Sequence, residues 1–255
     1  MNELFIGGGG FDGFTFLGSL EYIHKNNLLD LKRFYGCSIG SLLGLMYISG
    51  KTPTEILNYL LLIDAKEIIK IDIRNITTYN SIFDSSALDT LINGIDYPSE
   101  TTLGDVYEKS GVHVNIFVTN ITSNQYQNLN SVDNSDVQLK DAIKASMSIP
   151  FLFPPVIINN NTYIDGCCKN FYGAPPDDRY ILGYSIIGKF LNESSHFNNV
   201  LASIINLKEP RGCFIIKCDK KDNNSKYFNT DSIDKLELIQ MYSDGVKFAK
   251  DQLQL

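Results

Sequence analysis

The sequence predicts a single α/β domain over residues 1–255, a three-layer sandwich around a central, mainly parallel sheet. Three observations lead to this prediction. Short apolar segments with strand character alternate with segments of helical period, which is typical of parallel sheets with helical crossovers. No linker or internal repeat interrupts the alternation. The composition, 44% hydrophobic and 20% charged, is that of a globular protein with a buried core.

The strands are predicted where β-branched and aromatic residues cluster between glycines or polar turns. Each of the first two strands runs directly into a glycine-containing turn, and the third is followed by a segment suited to be its hairpin partner. The predicted strands are 4–6, 33–36, 112–120, 123–131, 161–166, 179–187 and 212–219.

The helices are predicted where apolar residues recur at helical spacing between start and stop signals. Pro53 begins one helix at a position where its missing N–H is harmless. The three prolines of 149–156 exclude a helix there. The predicted helices are 14–25, the stretch up to Gly50, the stretch from Thr52, 85–94, 102–111, 137–146 and 232–254. The apolar face of the last helix comprises Ile233, Leu236, Ile239, Val246 and Ala249.

The formal net charge of −7 argues against nonspecific nucleic-acid binding, which requires a basic surface. The sequence shows no secretory signal and no apolar run long enough to span a membrane, so we expect a cytoplasmic protein. The five cysteines lack the paired Cys-x-x-Cys spacing of zinc sites. We therefore expect reduced thiols and no metal site.

The stretch Gly36-Cys37-Ser38-Ile39-Gly40 joins the second predicted strand to the following helix. Gly-x-Ser-x-Gly between a strand and a helix is the pattern of a nucleophile elbow, in which a sharp turn exposes the serine hydroxyl. The alternative is that the serine only caps the helix. Ser38 is therefore a candidate nucleophile, and Gly36 and Gly40 are the small residues that such an elbow requires.

A glycine-rich turn from Gly7 to Gly13 follows the first strand. It lacks the Gly-Lys-Ser/Thr of a P-loop. Its glycines fit a dinucleotide fingerprint, but the second strand ends in the elbow and not in the acidic residue that binds ribose. The turn could also serve packing alone, or form an oxyanion hole in which the backbone N–H groups of Gly8, Gly9 and Gly10 bind a developing negative charge. The elbow beside it favours the oxyanion hole.

A serine nucleophile needs a base, and the sequence offers two kinds. His24 and His113 lie away from the predicted strand ends, whereas His196 would complete the order Ser38, Asp165, His196 of the α/β-hydrolases. Only one strand precedes the elbow here, which disfavours that fold. Asp165 ends a short strand, where its carboxylate would either stabilise the turn or act as the base.

These motifs together resemble the patatin-like phospholipase family. The resemblance rests on Gly8-Gly9-Gly10-Phe11-Asp12-Gly13, on Gly36-Cys37-Ser38-Ile39-Gly40 and on Asp165-Gly166-Cys167, in that order. The segment ASMSIPFLFPPV at 145–156 is similar to the proline segment that precedes the aspartate in the family. The resemblance covers residues 3–175 well and the C-terminal helix loosely.

The resemblance implies a patatin-like fold and a calcium-independent lipid acyl hydrolase of the phospholipase A type, a serine-dependent carboxylic ester hydrolase. Ser38 and Asp165 would form a catalytic dyad, and Gly8, Gly9 and Gly10 would hold the oxyanion. Neither a metal nor another cofactor is implied. The substrate would be a phospholipid or related lipid at a membrane or lipid-droplet surface. A catalytically weak or inactive lipid-binding descendant is the alternative.

Two residues depart from the family pattern. Asp12 stands where the family has arginine or lysine, and we expect it to cap the first helix or to be offset by a base such as Lys169. Cys167 replaces a smaller residue, and both Cys167 and Cys37 adjoin a member of the dyad. We hypothesise that the two thiols meet in the folded site and make activity sensitive to oxidants.

Overall fold

The computed structural model describes residues 1–63, 76, 81–170, 180–189, 211–219 and 234–254. Within these ranges eight strands form one sheet. The strands are β1 (Glu3–Ile6), β2 (Arg33–Cys37), β3 (His113–Asn120), β4 (Gln125–Asn130), β5 (Val156–Ile158), β6 (Asn161–Asp165), β7 (Tyr180–Lys189) and β8 (Arg211–Asp219). The seven predicted strands are confirmed, and β5 is an eighth that the sequence pattern did not indicate.

The strand order is β5-β6-β3-β2-β1-β7-β8, with β4 paired to β3 outside this path. Pairing is parallel between β1 and β2, β1 and β7, β2 and β3, and β7 and β8. It is antiparallel for β3 with β4, β3 with β6, and β5 with β6. The predicted α/β fold around a central, mostly parallel sheet is confirmed.

Strand β3 pairs with β2 and with β6, the two strands whose ends form the candidate site. β4 pairs with β3 over residues 115–120, which leaves the opposite side of β3 to β2 and β6. β2 occupies that side up to the pair Cys37–Phe117, and β6 ends at the pair Asp165–Val118. The carboxyl ends of β2 and β6 therefore meet head-on at adjacent positions of one strand.

The described helices begin and end close to the predicted positions. Thr52 and Thr102 form capping boxes with Glu55 and Asp105. Gly111 ends its helix in a left-handed conformation, with a φ of 71°. The helices are α1 (Gly13–Lys25), α2 (Ile39–Ile48), α3 (Pro53–Leu62), α4 (Ser86–Ile92), α5 (Leu103–Ser110), α6 (Leu139–Met147) and α7 (Lys235–Leu253).

The two faces of the sheet bury different clusters of apolar side chains. Each of the seven described helices contributes to the larger cluster, on one face. The opposite face carries a smaller cluster, which consists of Phe5, Tyr35, Cys37, Phe117 and Ile187. None of the seven described α-helices contributes to this second cluster, so the second helical layer of the sandwich stays a prediction.

Helix α7 packs closely on α1 through glycines. A Cβ at Gly18 or at Gly245 would collide with the backbone of the facing helix. The predicted apolar face of α7 is partly wrong, because Leu236 and Ile239 are 70% and 43% exposed. The contact with α1 instead buries a row of mostly small residues, spaced four apart, that brings the two backbones together. The buried residues of α7 are Met241, Gly245 and Ala249.

Two residues singled out from the sequence, His196 and Ile233, lie outside the residues that the structure describes. No helix in the described part of the chain is both long and apolar enough to cross a lipid bilayer.

Candidate active site

Ser38 occupies the turn between β2 and α2. Its backbone has a φ of 52° and a ψ of −131°, a region that residues with a side chain rarely adopt and that costs on the order of 1–3 kcal/mol. Such strain at a strand-to-helix turn is the geometry of a nucleophile elbow. The alternative that Ser38 only caps α2 is wrong, because its side chain makes no capping hydrogen bond.

The glycines of the elbow allow neighbouring segments to approach its backbone closely. A Cβ at Gly36 would lie 2.6 Å from the Cα of Ser41 and 2.7 Å from the ring of Phe34. A Cβ at Gly40 would lie 2.5 Å from the carbonyl oxygen of Gly7. These distances are shorter than real Cβ contacts, so only glycine fits without rearrangement. The elbow therefore packs directly against the end of β1.

Ser146 of α6 fixes the elbow to the sheet. Its hydroxyl oxygen accepts the N–H of Ser38 at 2.9 Å and donates to the carbonyl oxygen of Phe117 at 2.7 Å. Ser146 is fully buried, and Phe117 is the residue of β3 that pairs with Cys37. No local sequence pattern predicts a role for Ser146, although it belongs to the segment 145–156 on which the family resemblance partly rests.

Asp165 reaches the elbow from the end of β6. Its backbone N–H donates to the carbonyl oxygen of Ser148 at 3.0 Å, and its Oδ1 accepts the N–H of Cys167 at 2.8 Å. The side chain of Ser38 lies close enough to this carboxyl group to lower its pKa. The structure thus brings the two candidate catalytic side chains together, and the carboxylate stabilises its own turn as well.

The electrostatics of Asp165 suit a general base. The residue is 2% exposed, and burial raises the pKa of its carboxyl from 3.8 to about 6. The side chain of Ser38 and the N–H of Cys167 oppose this rise in pKa. A carboxyl with a pKa near 6 is mostly ionised at neutral pH, yet it is more basic than an ordinary aspartate. It is therefore better suited to accept a proton from an alcohol.

The glycine loop after β1 lies against both side chains. A Cβ at Gly8 would collide with the sulfur of Cys167 and would lie 3.3 Å from the Cβ of Ser38. Gly10 has a φ of 52°, which glycine adopts readily. Among the described residues no backbone carbonyl accepts the N–H groups of Gly8, Gly9 or Gly10. The loop therefore keeps hydrogen-bond donors close to Ser38, next to the positive end of α1.

The sequence profile of the family described as Patatin-like phospholipase matches residues 4–176, which include the glycine loop, the elbow and Asp165. The chain belongs to the patatin-like phospholipase family. The matched range also contains Ser146, so every residue of the candidate site described above lies within it.

Two viral proteins are similar in sequence to this patatin-like chain. Probable lipid hydrolase 463L of Invertebrate iridescent virus 6 is 30% identical over 172 residues, which are 64% of this chain and 58% of the relative. Uncharacterized protein R571 of Acanthamoeba polyphaga mimivirus is 26% identical over 178 residues, which are 65% of this chain and 58% of the relative. The matched part thus spans less than two thirds of either relative.

Two solved structures share the fold. VipD from Legionella pneumophila superposes with a TM-score of 0.57 at 13% sequence identity. The superposition covers 99% of this chain and 66% of the VipD chain. ExoU, a protein of Pseudomonas aeruginosa, superposes with a TM-score of 0.53 at 12% sequence identity. The superposition covers 99% of this chain and 52% of the ExoU chain. At such low identity the similarity shows the fold alone.

Asp12 occupies the position where the patatin-like family carries a cation. It is 5% exposed and is the N-cap residue of α1, but its side chain makes no capping hydrogen bond. The capping role expected of its carboxylate is therefore wrong. The side chain remains at the N-terminal end of α1, where the helix dipole favours a negative charge.

The described histidines lie away from the elbow, as expected from the sequence. His24, near the end of α1, hydrogen-bonds to the hydroxyl of Tyr47 at 3.1 Å. His113 begins β3 at the opposite end of the sheet and stacks on Tyr107, with ring centroids 4.1 Å apart. Neither histidine contributes to the candidate site, and His196 lies outside the described ranges.

The thiols of Cys37 and Cys167 meet beside the carboxyl of Asp165, as hypothesised. Their sulfurs are 3.6 Å apart. Burial raises the pKa of Cys37. The hydrogen bond to Cys37, together with burial, raises the pKa of Cys167 well above its ordinary value. Both groups therefore stay protonated at neutral pH and react slowly as nucleophiles. The sensitivity of activity to oxidants stays a prediction.

Proposed function

We propose that this patatin-like protein is a lipid acyl hydrolase of the phospholipase A type, which cleaves acyl ester bonds of phospholipids or related lipids. The observation that carries the proposal is the close approach of a serine in a strained elbow, Ser38, to a buried aspartate, Asp165, whose pKa the serine side chain lowers. A lipid substrate is supported by the family and by the viral relative described as a probable lipid hydrolase.

In the first half of the proposed reaction, Ser38 attacks the ester carbonyl while Asp165 accepts the proton of its hydroxyl. The carbonyl oxygen becomes an oxyanion, and the N–H groups of Gly8, Gly9 and Gly10 stabilise it. Loss of one such donor typically lowers the rate by a factor of about 10²–10³. The intermediate then collapses, the leaving alcohol takes the proton from Asp165, and the acyl group remains on Ser38.

In the second half, water attacks the acyl ester on Ser38 while Asp165 accepts its proton. When the fatty acid leaves, the proton returns to the oxygen of Ser38. One carboxyl thus acts as base and as acid in each half. A pKa of about 6 allows both roles near neutral pH.

Docking on a lipid surface is supported by two exposed apolar side chains. Phe151 and Ile157 are 74% and 72% exposed. They lie in the segment between Ser148, whose carbonyl binds the N–H of Asp165, and strand β6. Phe151 also has a φ of 68°, which a bulky residue rarely adopts. We infer a cytoplasmic protein that associates peripherally with a membrane or lipid-droplet surface.

The test is hydrolysis of a fluorogenic medium-chain acyl ester and of labelled phosphatidylcholine vesicles. We expect Ser38→Ala and Asp165→Asn each to lower kcat by about 10⁴-fold or more, as removal of a nucleophile or its base does in other serine hydrolases. Ser123→Ala, an exposed serine on a loop, is the matched control and should keep full activity. Full activity of Ser38→Ala would contradict the proposal.

The position of Asp12 favours a second candidate, a lipid-binding protein with weak or no hydrolytic activity. Its buried carboxylate stands near the glycine loop, where the family carries a cation. A negative charge there would oppose the formation of an oxyanion. Vesicle binding by folded wild type without ester turnover would support this candidate. If Asp12 is the cause, Asp12→Arg should then raise the turnover.

A further inference from the structure

A group of metal-binding atoms lies beside the candidate dyad. The sulfurs of Cys37 and Cys167 and a carboxylate oxygen of Asp165 all lie within 4.8 Å of one another. The proposed hydrolysis uses the carboxylate but neither thiol. Because the two cysteines come from segments far apart in the chain, the absence of a Cys-x-x-Cys spacing says nothing about this group.

The spacing fits a tetrahedral thiophilic ion better than a disulfide bond. With Zn–S bonds of about 2.3 Å, two thiolates on a tetrahedral zinc ion lie about 3.8 Å apart, close to the 3.6 Å between the sulfurs of Cys37 and Cys167. By the same geometry a carboxylate oxygen lies about 3.5 Å from each sulfur, and the oxygen of Asp165 lies no more than 4.8 Å from either of them. A disulfide would require the sulfurs to approach to about 2.05 Å.

The surroundings hold the ligands in place and offer a partner for a fourth one. Oδ1 of Asp165 accepts the N–H of Cys167 at 2.8 Å, and the sulfur of Cys37 lies 3.9 Å from the carbonyl oxygen of Phe117. The hydroxyl oxygen of Tyr126 is buried and has no hydrogen-bond partner among the described residues. Burial raises the pKa of this hydroxyl, and Cys37, Cys167 and Asp165 raise it further, so the hydroxyl lies near the three ligand residues. It is placed to hydrogen-bond a water that completes a four-coordinate ion.

We propose that Cys37, Cys167 and Asp165 bind one thiophilic divalent cation, for which Zn²⁺ is the probe, and that the bound ion inhibits ester hydrolysis by occupying the carboxylate. The ion takes two thiolates and one carboxylate, and the two thiol protons pass to solvent. The inhibition rests on the proposed function, because it requires Asp165 to be the base. The binding of the ion does not.

The test begins with the whole chain, reduced and freed of metal, titrated with Co²⁺ and then with Zn²⁺. Tetrahedral thiolate ligation of Co²⁺ gives intense visible bands and a sulfur-to-cobalt charge-transfer band, and Zn²⁺ should remove both at one ion per chain. We expect Cys37→Ala and Cys167→Ala each to weaken binding by about 100-fold or more, since even an outer-shell partner contributes 10–100-fold. Cys168→Ala, next in the chain but outside the group, is the matched control and should bind normally.

Thiolate bands that are absent from folded wild type, or that survive in both Cys37→Ala and Cys167→Ala, would overturn the proposed site. Melting temperatures show whether each variant is folded, and Asp165→Asn, which keeps both thiols, provides a third variant with weakened binding. Activity is measured separately. If Zn²⁺ binds but no ester is cleaved in its absence, the proposed function fails and the site stands. If Zn²⁺ at saturation leaves the hydrolysis by wild type unchanged, the inhibition is refuted.

Discussion

The substitution Asp165→Asn tests whether the candidate base is held in the fold at a cost in stability. Burial raises the pKa of Asp165 from 3.8 to about 6, so the folded chain binds this proton more tightly than the unfolded chain does. The fold therefore loses stability as the pH rises from the unfolded value of 3.8 to about 6; the loss is nearly constant above 6 and vanishes below 3.8. At about 1.4 kcal/mol per pH unit, the cost is about 3 kcal/mol at pH 7.5 and about half of that at pH 5.

Asparagine escapes this cost because it carries no charge, and its amide oxygen can still accept the N–H of Cys167. We expect Asp165→Asn to raise Tm by about 6–12 °C at pH 7.5, given about 2–4 °C per kcal/mol for a domain of this size. The gain should stay nearly constant down to about pH 6 and then shrink towards pH 4.5. Thermal unfolding in buffers from pH 4.5 to 8 measures it, and Asp136→Asn, at an exposed position, is the matched control.

Activity should change in the opposite sense to stability. Wild-type kcat/KM should rise about tenfold between pH 5 and pH 7 as the carboxyl of Asp165 ionises, whereas Asp165→Asn should stay inactive at every pH. A Tm difference that does not depend on pH would refute the reasoning. So would an asparagine variant that is less stable than wild type at pH 7.5.

Other substitutions probe the loop, the support of the elbow and the thiols. Gly8→Ala should abolish hydrolysis because its Cβ collides with the sulfur of Cys167. Cys167→Gly in the same chain should restore part of kcat/KM; no recovery would argue against this collision as the cause. Ser146→Ala removes the acceptor of the elbow N–H. It should lower kcat and cost about 1–3 kcal/mol in urea unfolding, and an unchanged kcat would rule out its positioning role. Peroxide should inactivate wild type slowly, since burial raises the pKa of Cys37. The double variant Cys37→Ala, Cys167→Ala should resist, and equal inactivation of both proteins would exclude the thiols.

Features encoded by neighbouring residues could be predicted from the sequence. The elbow and the glycine loop are each a strand, a turn and a helix in direct succession, so their patterns are complete within a dozen residues. Capping boxes such as that of Thr52 and the stop at Gly111 are equally local. Strand β5 was missed because a short apolar run after prolines becomes a strand only by pairing with β6.

Features that depend on distant contacts could not be predicted in this way. The hydrogen bond between Ser146 and Ser38 joins residues 108 positions apart in the sequence. It can form only when the fold places α6 beside the elbow. The raised pKa of Asp165 comes from burial, which no local pattern reports. The exposure of Leu236 depends likewise on which face of α7 packs against α1. That face is the one with the small residues Gly245 and Ala249, which leaves Leu236 in solvent.

The head-on meeting of β2 and β6 on β3 has a consequence for the order of events in folding. Cys37 and its pairing partner Phe117 are 80 residues apart in the chain, and β6 follows later still. Contacts over such distances form late, because each must overcome the entropy of closing a long loop. We therefore expect a newly made chain to form the turn at Ser38 before the candidate base, Asp165, docks beside it. On the proposed function, the chain hydrolyses no lipid until the last of these strands has docked, and the reactivity of Ser38 towards a fluorophosphonate would report that final step of maturation.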